Sequence, residues 1–96
     1  MADIDPRWQV TLSSKCDKQK AGLPTTICKI LTRLIWEIES SGPIRKNWKN
    51  FGELFKDTYH CHLKKGRPTY VACWRVNKNL KIVEIYYVGT HENSPY

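Results

Sequence analysis

The sequence predicts an α+β fold: an N-terminal strand, two helices and then a three-strand antiparallel meander, with the helices on one face of the sheet. Two patterns indicate this order. An apolar stripe of helical period occupies the first half of the chain, and three strand-like apolar runs separated by short turn signals occupy its last third. With 96 residues and a hydrophobic fraction of 41%, the chain can build one core, so residues 1–96 are predicted to form a single domain.

The first predicted strand, Trp8–Leu12, alternates apolar and polar side chains, a pattern typical of a strand with one buried face. Ser13 or Ser14 can cap the basic segment that follows. Lys15–Ala21 is polar and is expected to form a short helix at most, which Gly22 ends. The strand side chains expected to face inward are Trp8, Val10 and Leu12.

The main helix is predicted to begin at Leu23 and Pro24, because proline suits the first turn of a helix. It is expected to end at Gly42, which provides a C-cap, and Pro43, which cannot continue the helix. The apolar residues that recur at helical period are Ile27, Ile30, Leu31, Leu34, Ile35 and Ile38. This stripe is expected to cover one face of the sheet; a partner-binding helix is the alternative interpretation.

The connector Ile44–Asp57 is assigned to no strand, but it carries too many apolar residues for a free linker and is expected to pack back on the core. These apolar residues are Trp48, Phe51, Leu54 and Phe55. The meander follows and ends at Val88, with turns at Lys64–Pro68 and Asn77–Asn79. Gly89–Tyr96 then forms a polar tail.

The charge balance indicates the kind of partner. Lys and Arg number 16 against 9 Asp and Glu, which gives a net charge of +7. On so small a chain this excess favours a polyanionic partner, either nucleic acid or an acidic protein. A surface that is merely soluble is the alternative, because net charges of roughly 2–8 are ordinary for small domains.

Several kinds of segment and site are not predicted. The sequence has no apolar run of transmembrane length, and its opening M-A-D-I-D-P-R-W lacks the apolar core of a secretory signal. A cytoplasmic protein with reduced thiols is therefore expected. No metal or other cofactor is predicted, since the Cys and His spacings match no zinc template and alternation separates Cys61 from His60 and His62.

The histidines form the constellation that could carry chemistry. In an extended Thr58–Lys64, period two places His60, His62 and Lys64 on one face. One imidazole can take the 2′-OH proton of RNA and another can protonate the leaving 5′ oxygen, while Lys and Arg hold the charge of the phosphorane. The candidate catalytic residues are His60, His62, Lys64, Arg67, His91 and Tyr96. The alternative is that the histidines only edge a solvated sheet face.

Short motifs along nearly the whole chain resemble one known family. They are the helix ending E-I-E-S-S-G-P, the run Y-H-C-H-L-K, the strand Tyr70–Val76 and the ending V-G-T-H-E-N-S-P-Y. In these motifs the chain resembles the RelE/ParE superfamily of bacterial toxin–antitoxin toxins, and most of all its RelE-like branch. The resemblance implies a microbial-RNase-like fold and an endoribonuclease that cuts mRNA in the ribosomal A site. It also implies a 2′,3′-cyclic phosphate product, inhibited translation and an acidic antitoxin partner.

The resemblance also implies roles for individual residues. His60 and His62 stand where the family often has two lysines, the base and a phosphate holder. Lys64 stands where a further basic residue is common, and His91 stands at the general acid or charge stabiliser. Tyr96 stands at the tyrosine that stacks on a base or orients the nucleotide.

The family's usual arginine has no direct counterpart, because Val71 falls at its position, and either Arg67 or Arg75 would have to replace it. Phosphates of the RNA backbone are expected to meet other exposed cations: Lys46, Lys49, Lys56, Lys65 and Arg75. Two other functions remain open from the sequence. One is a ParE-type toxin that poisons DNA gyrase without these histidines, and the other is a non-catalytic RNA-binding module.

Overall fold

The computed structural model describes residues 7–96. The prediction that the opening M-A-D-I-D-P-R-W is not a secretory signal falls mostly on residues 1–6, which lie outside this range. The elements in chain order are β1 (Gln9–Leu12), α1 (Ser14–Ala21), α2 (Thr25–Ser41), β2 (Gly52–Phe55), β3 (Thr58–Lys64), β4 (Tyr70–Asn77), β5 (Ile82–Thr90) and a 3-10 turn (His91–Asn93). The predicted α+β class, the N-terminal strand and the two helices are confirmed.

A single five-stranded sheet has the strand order β1-β5-β4-β3-β2. β1 runs parallel to β5, whereas β2, β3, β4 and β5 form an antiparallel meander. The meander thus has one strand more than predicted, and the complete sheet is mixed.

The additional strand lies in the connector, so its assignment to no strand is wrong. β2 has only four residues, too few for an alternating pattern that would predict a strand. Its register with β3 also contains an irregularity. Trp48 and Phe51 pack against the core as expected. Phe55 does not, since it lies at the end of this edge strand with 70% of its surface exposed.

The apolar stripe of α2 is buried against the sheet. Its fully buried residues are Ile27, Leu31, Leu34 and Ile38. The helix ends at Ser41 because Gly42 adopts a positive φ of 98° and its amide donates to the carbonyl of Ile38 at 2.8 Å. This burial confirms that the stripe covers the sheet and is not a partner-binding face. Over residues 7–96, no helix is both long enough and apolar enough to cross a membrane.

The two faces of the sheet carry separate apolar clusters. Residues from both helices pack with the larger one, which includes the fully buried Trp74. A smaller cluster of Val71, Cys73 and Tyr87 lies on the opposite face. The helices therefore lie on one face, as predicted, and the histidines project from the other.

Glu37 fastens the connector to α2. Its Oε1 accepts hydrogen bonds from Trp48 Nε1 at 2.9 Å, Asn47 Nδ2 at 3.0 Å and Arg45 at 3.3 Å, and its Oε2 accepts one from Arg33 at 3.2 Å. Burial works to raise the pKa of Glu37, but these donors outweigh it and hold the pKa below its ordinary value. The carboxylate thus orders the chain that leads into β2.

Replacing Glu37 with alanine is expected to destabilise the protein by about 2–3 kcal/mol, because one carboxylate serves several donors. Urea unfolding at pH 7 measures this loss. Glu39→Ala is the matched control, since Glu39 lies on the same helix and makes none of these four contacts. Equal destabilisation by the two variants would contradict this role of Glu37.

Candidate active site

Adjacent strands align the two β3 histidines in cross-strand rows. His60 pairs with Cys73 of β4, which pairs with Tyr87 of β5. His62 pairs with Val71 of β4, one step further along the strand. Because paired residues project from the same face of a sheet, both imidazoles stand on the face opposite the helices.

Four aromatic rings meet on this face. The ring centroids of His60 and Tyr96 are 4.5 Å apart, those of His62 and His91 are 5.5 Å apart, and those of His91 and Tyr96 are also 5.5 Å apart. We call His60, His62, His91 and Tyr96 the imidazole cluster. The structure thus brings together four of the six candidate catalytic residues, and their catalytic roles stay predictions.

The chain returns to the sheet through the 3-10 turn after β5. The amide of His91 donates to the carbonyl of Thr69 at 2.8 Å, and the Ser94 amide and hydroxyl both donate to the His91 carbonyl, at 3.1 and 2.8 Å. These bonds turn the last residues back over the sheet. Tyr96 consequently lies against His60 while 40% of its surface stays exposed.

The surroundings of the cluster favour neutral imidazoles on β3. Burial lowers the pKa of His60, and the positive charges of His62 and His91 lower it further. Burial, His91 and Lys65 lower the pKa of His62 in the same way. The Nδ1 atoms of both β3 imidazoles are buried without a hydrogen-bond partner among the described residues. At neutral pH each of these two imidazoles can therefore accept a proton.

Stability is expected to fall as the pH is lowered from about 7 to 5, because His60 and His62 have folded-state pKa values below the unfolded value of about 6.5. The sign follows from the unfolded chain binding protons more readily than the folded one over this range. Their contribution is complete above the unfolded pKa and is lost as the pH falls through the folded values. Thermal unfolding against pH measures this loss. His60→Asn/His62→Asn should flatten the profile, and an unchanged slope would contradict the assignment.

Arg67 lies beside the cluster in an open cleft. The cleft has a volume of about 530 Å³, and its lining residues are His62, Gly66, Arg67, Pro68, Thr69, His91 and Glu92. Arg75 lies at the other end of β4, where its Nε is 3.1 Å from the carboxylate of Glu84 and its guanidinium is 4.2 Å from the ring centre of Tyr86. Of these two arginines, Arg67 is the one that lines the cleft with His62 and His91.

The expected position of Lys64 is wrong. A register shift between His62 and Lys64 interrupts the alternation of β3, and Lys64 pairs with Tyr70, whose ring packs against the helix-face core. Lys64 consequently does not continue the row of His60 and His62. Simple period two fails here because the bulge adds a residue to β3.

The cations expected to meet RNA phosphates lie in two places. Lys65 is near enough to His62 to lower its pKa, and the carbonyl of Lys49 accepts a hydrogen bond from the His62 amide at 2.8 Å. Lys46 is exposed in the same connector as Lys49. Lys56 and Arg75 line a separate cleft at the far end of the sheet, and Arg75 is partly committed to its ion pair.

Sequence reasoning missed Gly52 as part of the site. A Cβ atom at Gly52 would lie 3.2 Å from Nε2 of His60, so the glycine lets the edge strand approach the imidazole closely. The signal was hidden because β2 was not predicted. Among the described residues, no group of three His, Cys, Asp or Glu side chains is placed to hold a metal ion.

No protein-family model and no curated protein matches the sequence. Solved structures share its fold. A chain of the archaeal RelE–RelB complex from Pyrococcus horikoshii superposes with a TM-score of 0.71 at 16% identity, over 92% of this chain and 99% of that one. A mutant of the E. coli toxin RelE in the free state gives 0.72 at 20% identity, over 92% and 87%.

A chain of the RelBE2 toxin–antitoxin complex from Mycobacterium tuberculosis gives a TM-score of 0.63 at 16% identity, over 88% of this chain and 99% of that one. At such identities the likeness establishes the fold. The chain has the fold of RelE toxins, which confirms the RelE-like sheet that the sequence motifs imply.

Proposed function

We propose that this chain is the toxin of a toxin–antitoxin module and that it inhibits translation as an mRNA endoribonuclease acting at the ribosome. The observation that carries the proposal is the meeting of three imidazoles and a tyrosine ring on one open sheet face, beside a cleft that contains Arg67. Imidazoles can be both proton acceptor and proton donor near neutral pH. An exposed aromatic ring suits an unpaired base.

The cluster can perform transesterification without added water. His60 or His62, held neutral by its surroundings, takes the proton of the ribose 2′-OH, and the 2′ oxygen attacks the adjacent phosphorus. The bond from phosphorus to the 5′ oxygen breaks as His91 donates a proton to that oxygen. The products are a 2′,3′-cyclic phosphate and a 5′-OH end. Arg67 holds the negative charge that develops on the phosphoryl oxygens.

The positions of the rings favour His62 as the base. His62 makes the direct ring contact with His91, at 5.5 Å, whereas His60 lies against Tyr96, at 4.5 Å. A phosphate in the cleft that both residues line would have an acceptor and a donor among its neighbours. His60 and Tyr96 would then orient the nucleotide, with Tyr96, which is 40% exposed, stacking on its base.

An acidic antitoxin is the proposed protein partner. The chain has a net charge of +7, and the structures that share its fold include a RelE–RelB complex and the RelBE2 complex. A partner that covers the imidazole face would both neutralise nearby cations such as Lys65 and exclude RNA. Co-expression with the neighbouring gene product, followed by co-purification, tests this partner, and failure of an acidic product to bind would contradict it.

The decisive assay for this function uses purified protein, translating ribosomes and an mRNA whose ends are mapped. Cleavage that leaves 2′,3′-cyclic phosphate ends is expected, and His60→Ala/His62→Ala should lose most of it. Intact mRNA together with inhibited supercoiling by DNA gyrase would instead support a ParE-type activity. Intact mRNA that is nevertheless bound would support a non-catalytic RNA-binding module.

A further inference from the structure

The peptide group that joins Thr90 to His91 is held from two sides. Its carbonyl accepts a hydrogen bond from the hydroxyl of Tyr87 at 2.6 Å, and its amide donates to the carbonyl of Thr69 at 2.8 Å. A peptide group is planar, so bonds to its oxygen and its nitrogen together fix the orientation of the plane. The nitrogen and Cα of His91 belong to this plane, so fixing the plane helps to fix where the His91 side chain begins.

The hydroxyl of Tyr87 has little freedom to leave this bond. Its residue is only 7% exposed, and burial raises the pKa of Tyr87, which keeps the hydroxyl protonated as a donor. A Cβ atom at Gly89 would lie 2.8 Å from that hydroxyl and 3.1 Å from the ring carbon that bears it. Gly89 thus provides the space in which the hydroxyl reaches Thr90.

We infer that Tyr87 is a positioning residue whose hydroxyl holds the Thr90–His91 peptide group so that the His91 imidazole meets His62 and Tyr96. Its part in catalysis rests on the proposed function, whereas its effect on the geometry of His91 does not. The second anchor, the bond to Thr69 in the segment before β4, ties His91 to the turn that carries Arg67. We call these two hydrogen bonds, from Tyr87 to Thr90 and from His91 to Thr69, the clamp. The clamp couples the proposed general acid to the wall of the cleft.

Tyr87→Phe removes the hydroxyl and leaves the ring, so it tests the clamp directly. Ring-to-ring nuclear Overhauser contacts of His91 with His62 and Tyr96, measured on the full chain without RNA, are expected to weaken or disappear. Gly89→Ala should produce the same loss by pushing the hydroxyl aside. Tyr59→Phe is the matched control: Tyr59 is also buried, but its ring stacks on Phe51 at the helix face, and the cluster contacts should persist.

Single-turnover cleavage of ribosome-bound mRNA gives the second readout. Tyr87→Phe is expected to lower kcat by roughly tenfold to a hundredfold, the size expected for a misplaced catalytic group, with KM nearly unchanged. Tyr59→Phe should retain both values. Weakened His91 contacts together with a lowered kcat would support the clamp and its part in the reaction.

The remaining outcomes separate the two proposals. Weakened contacts with an unchanged kcat would support the clamp and contradict the role of His91 in the proposed reaction. Unchanged His91 contacts in both Tyr87→Phe and Gly89→Ala would overturn the clamp, whatever the rate. If Tyr59→Phe weakened the His91 contacts as much as Tyr87→Phe does, the clamp would be overturned as well. The effect would then come from general loosening of the core.

Discussion

Replacing His91 with alanine is expected to lower the single-turnover rate of mRNA cleavage by roughly 10²–10⁴ and to leave RNA affinity nearly unchanged, the usual consequence of losing a general acid. The reason is geometric. His91 lines the cleft and contacts His62 through its ring, so its loss removes the proposed proton donor beside the proposed base. The cations that would bind the RNA backbone remain.

Asn93→Ala is the matched control for His91→Ala, because Asn93 belongs to the same 3-10 turn but does not line the cleft with His62. It should keep the wild-type rate. Cleavage by His91→Ala at the rate of Asn93→Ala would contradict the general-acid assignment.

Tyr96→Phe should lower the cleavage rate less than Tyr96→Ala, since the phenylalanine ring can still lie over His60.

Arg67→Ala is expected to lower the rate at saturating RNA by roughly 10²–10³, the effect of removing one donor to a developing oxyanion. Arg67 lies in the cleft beside His62 and His91, where no other arginine is placed within the described chain. Arg75→Ala is the comparison. It should weaken RNA binding and leave the rate at saturation largely intact, because Arg75 is paired with Glu84 at the far end of the sheet.

The same pair of variants decides between the two arginines that the sequence leaves open. Single-turnover cleavage over a range of RNA concentrations separates the rate at saturation from affinity. A large loss in Arg75→Ala with wild-type cleavage in Arg67→Ala would contradict the placement of the phosphate holder in the cleft. RNA affinity should depend less on salt in both variants, because each lacks one cation that is expected to contact a phosphate.

Elements with a long, regular pattern could be predicted from the sequence. The stripe of α2 repeats over several turns, so its buried face is evident from Ile27 to Ile38. The strands β3, β4 and β5 are similarly marked by continuous or alternating apolar residues between turns. Short or irregular features escaped prediction, since β2 spans only Gly52–Phe55 and a bulge redirects Lys64.

The candidate site was predictable in part for the same reason. Period two places His60 and His62 on one face without knowledge of the fold. Contact of Tyr96 with His60 depends on the turn after β5 and on its bonds to Thr69 and Ser94, which no local pattern specifies. The resemblance to a known family implied the roles of His91 and Tyr96, whereas Tyr87 emerged only from the hydrogen bonds of the fold.

The most direct test of the account is the pH dependence of single-turnover cleavage on ribosome-bound and free mRNA. Because burial and neighbouring charge lower the pKa of His60 and His62, the rising limb should lie below about pH 6.5. General acid–base catalysis by two such groups gives a bell-shaped profile, so the rate should fall again at higher pH. His60→Ala/His62→Ala should remove the rising limb together with most of the activity. A rate that stays flat between about pH 5.5 and 8.5, or a fully active double variant, would contradict an imidazole mechanism.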